Sequence, residues 1–126
     1  MAEEDLTFKE MCARFEVTPR TLRYYEYIEL LQPRKEGRAR FYGPREVARM
    51  TLILRGRRFG FSLEELRQWL LLRDQRGSRE QYEVFVQMAD RQLKELARQQ
   101  AELADTIEDL RRLRAETQEI VSDLSK

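Results

Sequence analysis

The feature that most constrains the fold is a run of 46 residues, 79–124, that contains neither proline nor glycine. A helix of this length spans about 69 Å. Apolar residues recur along it at spacings of three and four, with Gln100 between two of them, as in a coiled-coil seam. Residues 1–76 are too few to cover such a seam, so we expect a partner helix to do so. The predicted dimerisation residues are Leu93, Leu96, Leu103, Ile107 and Leu110.

The seam changes phase beyond Leu110. It continues at Leu113, Thr117, Ile120 and Leu124 only after an offset, so this distal part is predicted to pack differently or to fray. An isolated amphipathic helix is the alternative to a coiled coil. A membrane-surface helix is disfavoured, because the polar face is mixed and net acidic.

Composition excludes several classes of protein. No stretch of about 18 apolar residues is present, which excludes a membrane span, and no basic segment leads into an apolar run as in a secretion signal. The chain has one cysteine and no histidine, so a disulfide framework, a multi-cysteine zinc site and the commonest general base are absent from the sequence. We therefore expect a helical, intracellular protein without cofactor or enzymatic activity.

The net charge of +1 hides a strong asymmetry. Residues 20–58 contain 11 basic and 4 acidic residues, whereas residues 77–126 contain 8 basic and 11 acidic ones. A compact basic region beside an acidic helix indicates a surface that binds a polyanion. A solvated basic face is the alternative reading of the charge alone.

Two short helices are predicted near the N-terminus. Thr7 and Glu10 form a capping box for a helix at 7–15, and Thr18 followed by Pro19 starts a second helix at 19–29. We expect Leu22 and Ile28 of the second helix to point inward, and Arg20, Arg23 and Glu26 to point outward. Together the two helices match a helix-turn-helix pattern. The first two turns of the second helix carry groups that suit phosphates and base edges, namely Arg20, Thr21, Arg23, Tyr24 and Tyr25.

The helical period breaks over residues 31–42, where basic and apolar side chains alternate from Arg38 to Tyr42. We expect a β-hairpin with basic residues on one face and Ala39 and Phe41 on the other. A basic ribbon after a helix-turn-helix is typical of a wing, and a plain hairpin over the core is the alternative. The four cations of this wing are Arg34, Lys35, Arg38 and Arg40.

A third helix is predicted at about 44–58, ended by Gly60. Ser62, with Glu65 three residues later, caps a fourth helix, and the pattern changes after Arg76-Gly77-Ser78. Arg57 and Arg58 lie at the connection and offer a second contact with a nucleic-acid backbone.

The stretch Val17 to Glu26 resembles the signature of the MerR-type transcription regulators. The wing that ends Arg40-Phe41-Tyr42 and the later run Arg58 to Glu65 occur at that family's positions. The resemblance covers residues 6 to about 72 and implies a mainly α fold. That fold is a winged helix-turn-helix DNA-binding domain with a small β-hairpin wing, followed by a long antiparallel coiled-coil dimerisation helix. The implied domains are 1–76 and 77–126.

The same resemblance implies the DNA contacts. The recognition helix, with Thr18 at its start, would enter the major groove, with Tyr25 on a phosphate, and the wing and Arg57 would reach the flanking backbone. The implied set is Thr18, Arg20, Thr21, Arg23, Tyr24, Tyr25, Arg34, Lys35, Arg38, Arg40, Tyr42 and Arg57. Core packing is the alternative role for one of the two adjacent tyrosines, and an ion pair with Glu26 is the alternative for Arg23.

The chain departs from the family pattern at three places. Arg38-Ala39-Arg40 replaces the usual Gly-Tyr-Arg of the wing, and Glu29 replaces a glycine after the recognition helix. The long helix begins at Gly77-Ser78-Arg79 and no cysteine follows, unlike in metal-sensing members, so Cys12 is interpreted as a small buried hydrophobe.

The resemblance implies a sequence-specific regulator that binds a pseudo-palindromic promoter operator as a homodimer and distorts the DNA. Double-stranded DNA, a second copy of the chain and RNA polymerase are the implied partners. The implied location is the bacterial cytoplasm, in association with the nucleoid. The alternatives are an architectural or recombination-accessory DNA-bending protein, a coiled-coil adaptor whose head binds protein and, least favoured, an enzyme.

Overall fold

The computed structural model describes residues 5–126, except for the side chains of residues 73 and 74. In chain order its elements are β1 (Leu6–Thr7), α1 (Phe8–Phe15), α2 (Pro19–Tyr27), β2 (Arg34–Glu36), β3 (Ala39–Tyr42), α3 (Pro44–Phe59), α4 (Leu63–Arg76) and α5 (Ser78–Leu124). The chain divides into a unit that ends at Val84 and a unit that comprises Phe85–Lys126. The domain boundary at 76/77 stays a prediction, and residues 1–4 of its first domain lie outside the described residues.

Local capping signals start α1 and α2 as expected. The Thr7 hydroxyl accepts a hydrogen bond from the Glu10 amide at 3.2 Å, and the Glu10 carboxylate accepts one from the Thr7 amide at 2.9 Å. Thr18 accepts from the Thr21 amide at 3.1 Å ahead of Pro19. These two helix starts confirm the capping predictions. The predicted end of α2 is wrong by two residues, because Glu29 adopts a left-handed φ of 64° that no helix can continue.

The predicted hairpin is present, but it belongs to a three-stranded antiparallel sheet of order β1-β3-β2. In its register Arg34 lies opposite Phe41, and Leu6 lies opposite Tyr42. The strand β1 has only two residues, too few to produce a period in the sequence. The prediction that the cations share one face opposite Phe41 is wrong, since directly paired residues of two strands point to the same face.

The connection between α3 and α4 follows the predicted signals. Gly60 ends α3 with a φ of 101°, and Ser62 and Glu65 form a capping box with distances of 2.9 and 3.1 Å. The two helices approach closely at the buried Gly56, where an added Cβ would collide with the side chain of Leu66.

The core of the first unit contains side chains from α1, α2, β3, α3, α4 and the segments that join them. Trp69 donates its indole N–H to the carbonyl of Gln81 at 2.9 Å, and the Gln81 amide donates to the carbonyl of Trp69 at 3.3 Å. These reciprocal bonds attach α4 to the first turn of α5. The buried apolar residues of this core are Met11, Leu22, Tyr25, Leu30, Leu31, Tyr42, Met50, Ile53, Phe61, Leu66, Trp69 and Leu70.

The long helix predicted at 79–124 is confirmed as α5, which follows Gly77 with its φ of 87°. From residue 101 onward every side chain of the helix is exposed. Within residues 5–126, no helix has the length and hydropathy to cross a bilayer.

Candidate DNA interface

The N-terminal turns of α2 present an exposed polar and basic surface. Thr18, Arg20, Arg23 and Tyr24 are exposed, and Thr21 is half-buried. The Thr18 hydroxyl donates to the Thr21 hydroxyl at 3.0 Å while it accepts from the Thr21 amide. This part of α2 can therefore offer guanidinium, hydroxyl and phenol groups to an external acceptor.

The two adjacent tyrosines separate as helical geometry requires. Tyr24 is 49% exposed, whereas Tyr25 is 7% exposed and belongs to the core. Adjacent helical residues point about 100° apart, so only one can face outward. The prediction that Tyr25 lies on a phosphate is therefore wrong, and core packing, its alternative role, is the one observed.

Tyr42 and Arg40 of the wing point toward α2. The Tyr42 hydroxyl and the Arg40 Nε both donate to the carboxylate of Glu26, the latter at 2.7 Å. Tyr42 is fully buried, so the prediction that it contacts DNA is wrong. The prediction that Glu26 points outward is also wrong, because its side chain is only 9% exposed between these donors. Burial and the bond to Glu26 raise the pKa of Tyr42, which keeps its hydroxyl a donor.

Phe8 connects the recognition helix with the wing. The Arg23 guanidinium lies over its ring at 5.3 Å from the centroid, and that of Arg40 lies at 6.0 Å. Cation–π contacts of this kind restrict where an arginine points. Phe8 was not among the predicted site residues, because only the tertiary structure brings it beneath two arginines that are distant in sequence.

The remaining wing cations differ in how accessible they are to an external phosphate. Arg34 pairs with Asp5 at 3.0 Å and with Glu36 at 2.6 Å, and it lies 4.7 Å from the centroid of Phe41. The hydrogen bond to Asp5, together with the charges of Asp5 and Glu36, holds the pKa of Arg34 above its usual value. Lys35 and Arg38 are exposed on the strand and at its turn. Lys35 and Arg38 are therefore freer than Arg34 to meet an external phosphate.

Two arginines hold the C-terminal end of the recognition helix. Arg49 of α3 donates to the carbonyl of Leu30 at 3.1 Å, and Arg67 of α4 donates to that of Ile28 at 3.0 Å. These two bonds supply donors to carbonyl groups that have no intrahelical partner where α2 ends. Sequence reasoning missed both, since nothing local links an arginine to a carbonyl 19 or 39 residues away.

Arg57 lies exposed in the last turn of α3, where its guanidinium donates to the carbonyl of Phe61 at 3.4 Å. Tyr27, at the end of α2, is 83% exposed and was also not predicted. It continues the exposed line of Arg20, Arg23 and Tyr24 at helical spacing.

Cys12 is half-buried on α1, and burial raises the pKa of its thiol despite the nearby Arg23. A raised pKa disfavours the thiolate that binds metals. Within the described residues, no group of three or more Cys, Asp or Glu side chains could hold a metal ion.

Two family models match the chain. The model described as "MerR HTH family regulatory protein" matches residues 6–72, and the one described as "MerR, DNA binding" matches residues 47–119. The first covers the helix-turn-helix, the wing and most of α4, and the second reaches far into α5.

Curated relatives support the same assignment. The transcriptional regulator ZntR of Escherichia coli K12 is 39% identical over 66 residues, which are 51% of this chain and 47% of ZntR, so the match spans about half of that relative. An HTH-type transcriptional regulator of Pseudomonas aeruginosa is 36% identical over 97 residues, 75% of this chain and 74% of that protein. HmrR of Rhizobium leguminosarum is 33% identical over 107 residues, 80% of each.

Solved structures show the same fold. A MerR-family transcriptional regulator from Bacillus cereus is 30% identical, with a TM-score of 0.68 over 82% of this chain and 75% of that one. HiNmlR, a MerR family regulator lacking the sensor domain and bound to promoter DNA, is 19% identical, with a TM-score of 0.65 over 82% and 79%. The mainly helical winged helix-turn-helix with a long C-terminal helix is thus confirmed, and the chain belongs to the MerR family of helix-turn-helix regulatory proteins.

Proposed function

We propose that this protein regulates transcription in the bacterial cytoplasm by binding a promoter operator as a homodimer. The observation that carries the proposal is the exposed basic surface of α2 and the wing, comprising Arg20, Arg23, Tyr24, Lys35 and Arg38. Thr18 caps α2, and Thr21 lies in the first turn of this helix. Tyr25 and Tyr42, being buried, support this surface from within.

The recognition helix is the part of this surface that would read base edges. Arginine pairs with guanine in the major groove, and tyrosine and threonine hydroxyls suit phosphates. Lys35 and Arg38 would contact the flanking backbone from the wing, and Arg57 would do so from the end of α3. Arg34 and Arg40, held by carboxylates, would position the wing.

The exposed seam of α5 supports a homodimer. The predicted dimerisation residues are between 40% and 65% exposed in the single chain. Each large apolar side chain that becomes buried contributes about 1.5–3 kcal/mol. A two-fold dimer would read two half-sites about 34 Å or a multiple apart, which requires a pseudo-palindromic operator.

A footprint on the protein's own upstream region tests the proposal. We expect protection of one pseudo-palindromic site, with an affinity that falls steeply with salt because phosphate contacts release counterions. Replacing Leu103 and Ile107 with Asp should yield a monomer in sedimentation analysis that loses this footprint. Salt-insensitive or absent binding would favour an adaptor whose head binds protein.

Distortion of the operator is the proposed mode of regulation. Bending a DNA site of operator size costs on the order of a few kcal/mol, and the added contacts of the wing would offset this cost. Permuted DNA fragments should reveal a bend, and transcription with purified RNA polymerase should change when the protein is added. Many scattered binding sites across the genome, instead of a few promoters, would indicate an architectural protein.

A further inference from the structure

Phe8 is the first residue of α1, and its ring contacts two arginines from other parts of the chain. The guanidinium of Arg23, on the recognition helix, lies 5.3 Å from the ring centroid, and that of Arg40, on β3, lies at 6.0 Å. Both distances are within reach of a cation–π contact. One ring thus contacts both the recognition helix and the wing.

The position of Phe8 is fixed by its backbone neighbours. Thr7, directly before it, pairs with Phe41 of β3 and forms the capping box with Glu10. The Phe8 side chain is half-buried, whereas Arg23 is exposed. The ring is therefore held by α1 and the sheet, and it can act as a fixed platform for the longer and more mobile arginine.

Arg23 is held by this ring and not by a carboxylate. Glu26, three residues further along α2, accepts hydrogen bonds from Arg40 and Tyr42 instead. Among the residues that the structure describes, no acidic side chain pairs with Arg23. The N–H groups of its guanidinium are therefore available to an acceptor outside the protein.

The kind of contact decides which groups of an arginine stay available. A carboxylate accepts hydrogen bonds and so occupies guanidinium N–H groups, whereas a ring attracts the cation through the charge distribution of its π face. A bidentate pair with O6 and N7 of guanine needs two of these N–H groups in one orientation. Phe8 thus restricts the direction of Arg23 while leaving its donors for a base.

We propose that Phe8 is a positioning residue for base recognition, whose ring orients the Arg23 guanidinium toward a base edge of the operator. This role rests on the proposed function, and Phe8 itself would not touch the DNA. Ordering a long side chain at the moment of binding costs affinity, and a platform in the free protein removes part of that cost. Discrimination between sequences depends on it most, because the phosphate contacts of Lys35 and Arg38 serve any sequence.

Gel-shift titration of the full-length protein with two duplexes of equal length tests this role. One duplex carries the site footprinted in the protein's own upstream region, and the other carries a scrambled sequence, so the ratio of the two affinities measures discrimination. F8L and F8M keep an apolar side chain without a ring. We expect each to lower the ratio about tenfold, since both subunits lose a pre-oriented arginine. F8Y keeps the aromatic face and should keep the wild-type ratio.

Two further variants separate positioning from a general loss of structure. F15L removes another half-buried ring of α1, one that Arg14 contacts at 6.0 Å, and should leave the ratio unchanged. Adding F8L to R23A should cause no further loss of affinity for the footprinted duplex, because the ring acts through Arg23. Low salt keeps the residual binding of these two proteins measurable.

The outcomes bear on different claims. If F8L and F8M discriminate like the wild type, the role of Phe8 is overturned and the proposed function stands. The role is also overturned if F8Y is as poor as F8L, or if F8L weakens R23A further, because Phe8 would then act through packing or through Arg40. A wild-type protein that binds both duplexes equally would overturn the proposed function itself, and this role with it. Circular dichroism of each variant serves as the control for folding.

Discussion

The hydroxyl of Tyr42, on the last residue of β3, donates a hydrogen bond to the carboxylate of Glu26 on the recognition helix. Tyr42 is fully buried, and Arg40 donates to the same carboxylate. A buried carboxylate is stable only where donors surround it. This bond therefore couples the position of the wing to that of the helix that would read DNA.

We expect Y42F to lower the free energy of unfolding by about 1–3 kcal/mol, because it leaves an oxygen of the buried Glu26 without a donor. Urea denaturation measures this loss. Y27F is the matched control, since Tyr27 is 83% exposed, and its stability should stay within about 0.5 kcal/mol of the wild type. Equal effects of the two substitutions would show that the bond to Glu26 contributes nothing.

Alkaline pH should destabilise the protein through Tyr42. Its pKa in the folded state is raised above the usual 10.0, so above that pH the unfolded chain releases a proton that the folded chain keeps. Stability from this group is complete below the unfolded pKa and falls as pH rises beyond it, by up to about 1.4 kcal/mol per pH unit. Urea denaturation of wild type and Y42F across this range checks it. The difference between the two proteins should shrink as pH rises, and a constant difference would contradict the assignment.

We expect R23A to abolish specific operator binding while the fold is retained. Each lost contact of this kind costs about 1–3 kcal/mol, and a dimer loses it twice. The fold should be retained because the stacking of Arg23 on Phe8 contributes only about 0.5–1 kcal/mol to stability. R112A, which removes the same charge from an exposed position on α5, serves as the control in a gel-shift titration. Normal operator binding by R23A would remove this residue from the interface.

G56A should destabilise the first unit by about 1–3 kcal/mol, because its Cβ would collide with Leu66 where α3 approaches α4. The double variant with L66A should lose less stability than the two single variants combined, since shortening Leu66 makes room. Thermal or urea unfolding of the three proteins measures this coupling. Full additivity would show that α3 and α4 do not press against each other at this point.

Much of the local structure follows from the sequence by itself. The capping pairs Thr7 with Glu10 and Ser62 with Glu65, the Thr18-Pro19 start and the stop at Gly60 depend on residues within one helical turn. Short-range hydrogen bonds and backbone conformation suffice to place them. The apolar spacing of residues 93–110 likewise needs only the helical period to indicate an unpaired seam.

The tertiary structure alone decided which wing residues face inward. Alternation along Arg38 to Tyr42 shows that Arg40 and Tyr42 share a face, but it does not say whether that face meets solvent or helix. β3 pairs with β1 and its Tyr42 contacts Glu26, so the face that carries Arg40 and Tyr42 turns inward. The pairing of β3 with β2 places Arg34 beside Phe41. The partners lie many residues apart, and a strand shifted by one residue exchanges its two faces. Only the packed fold could make that choice.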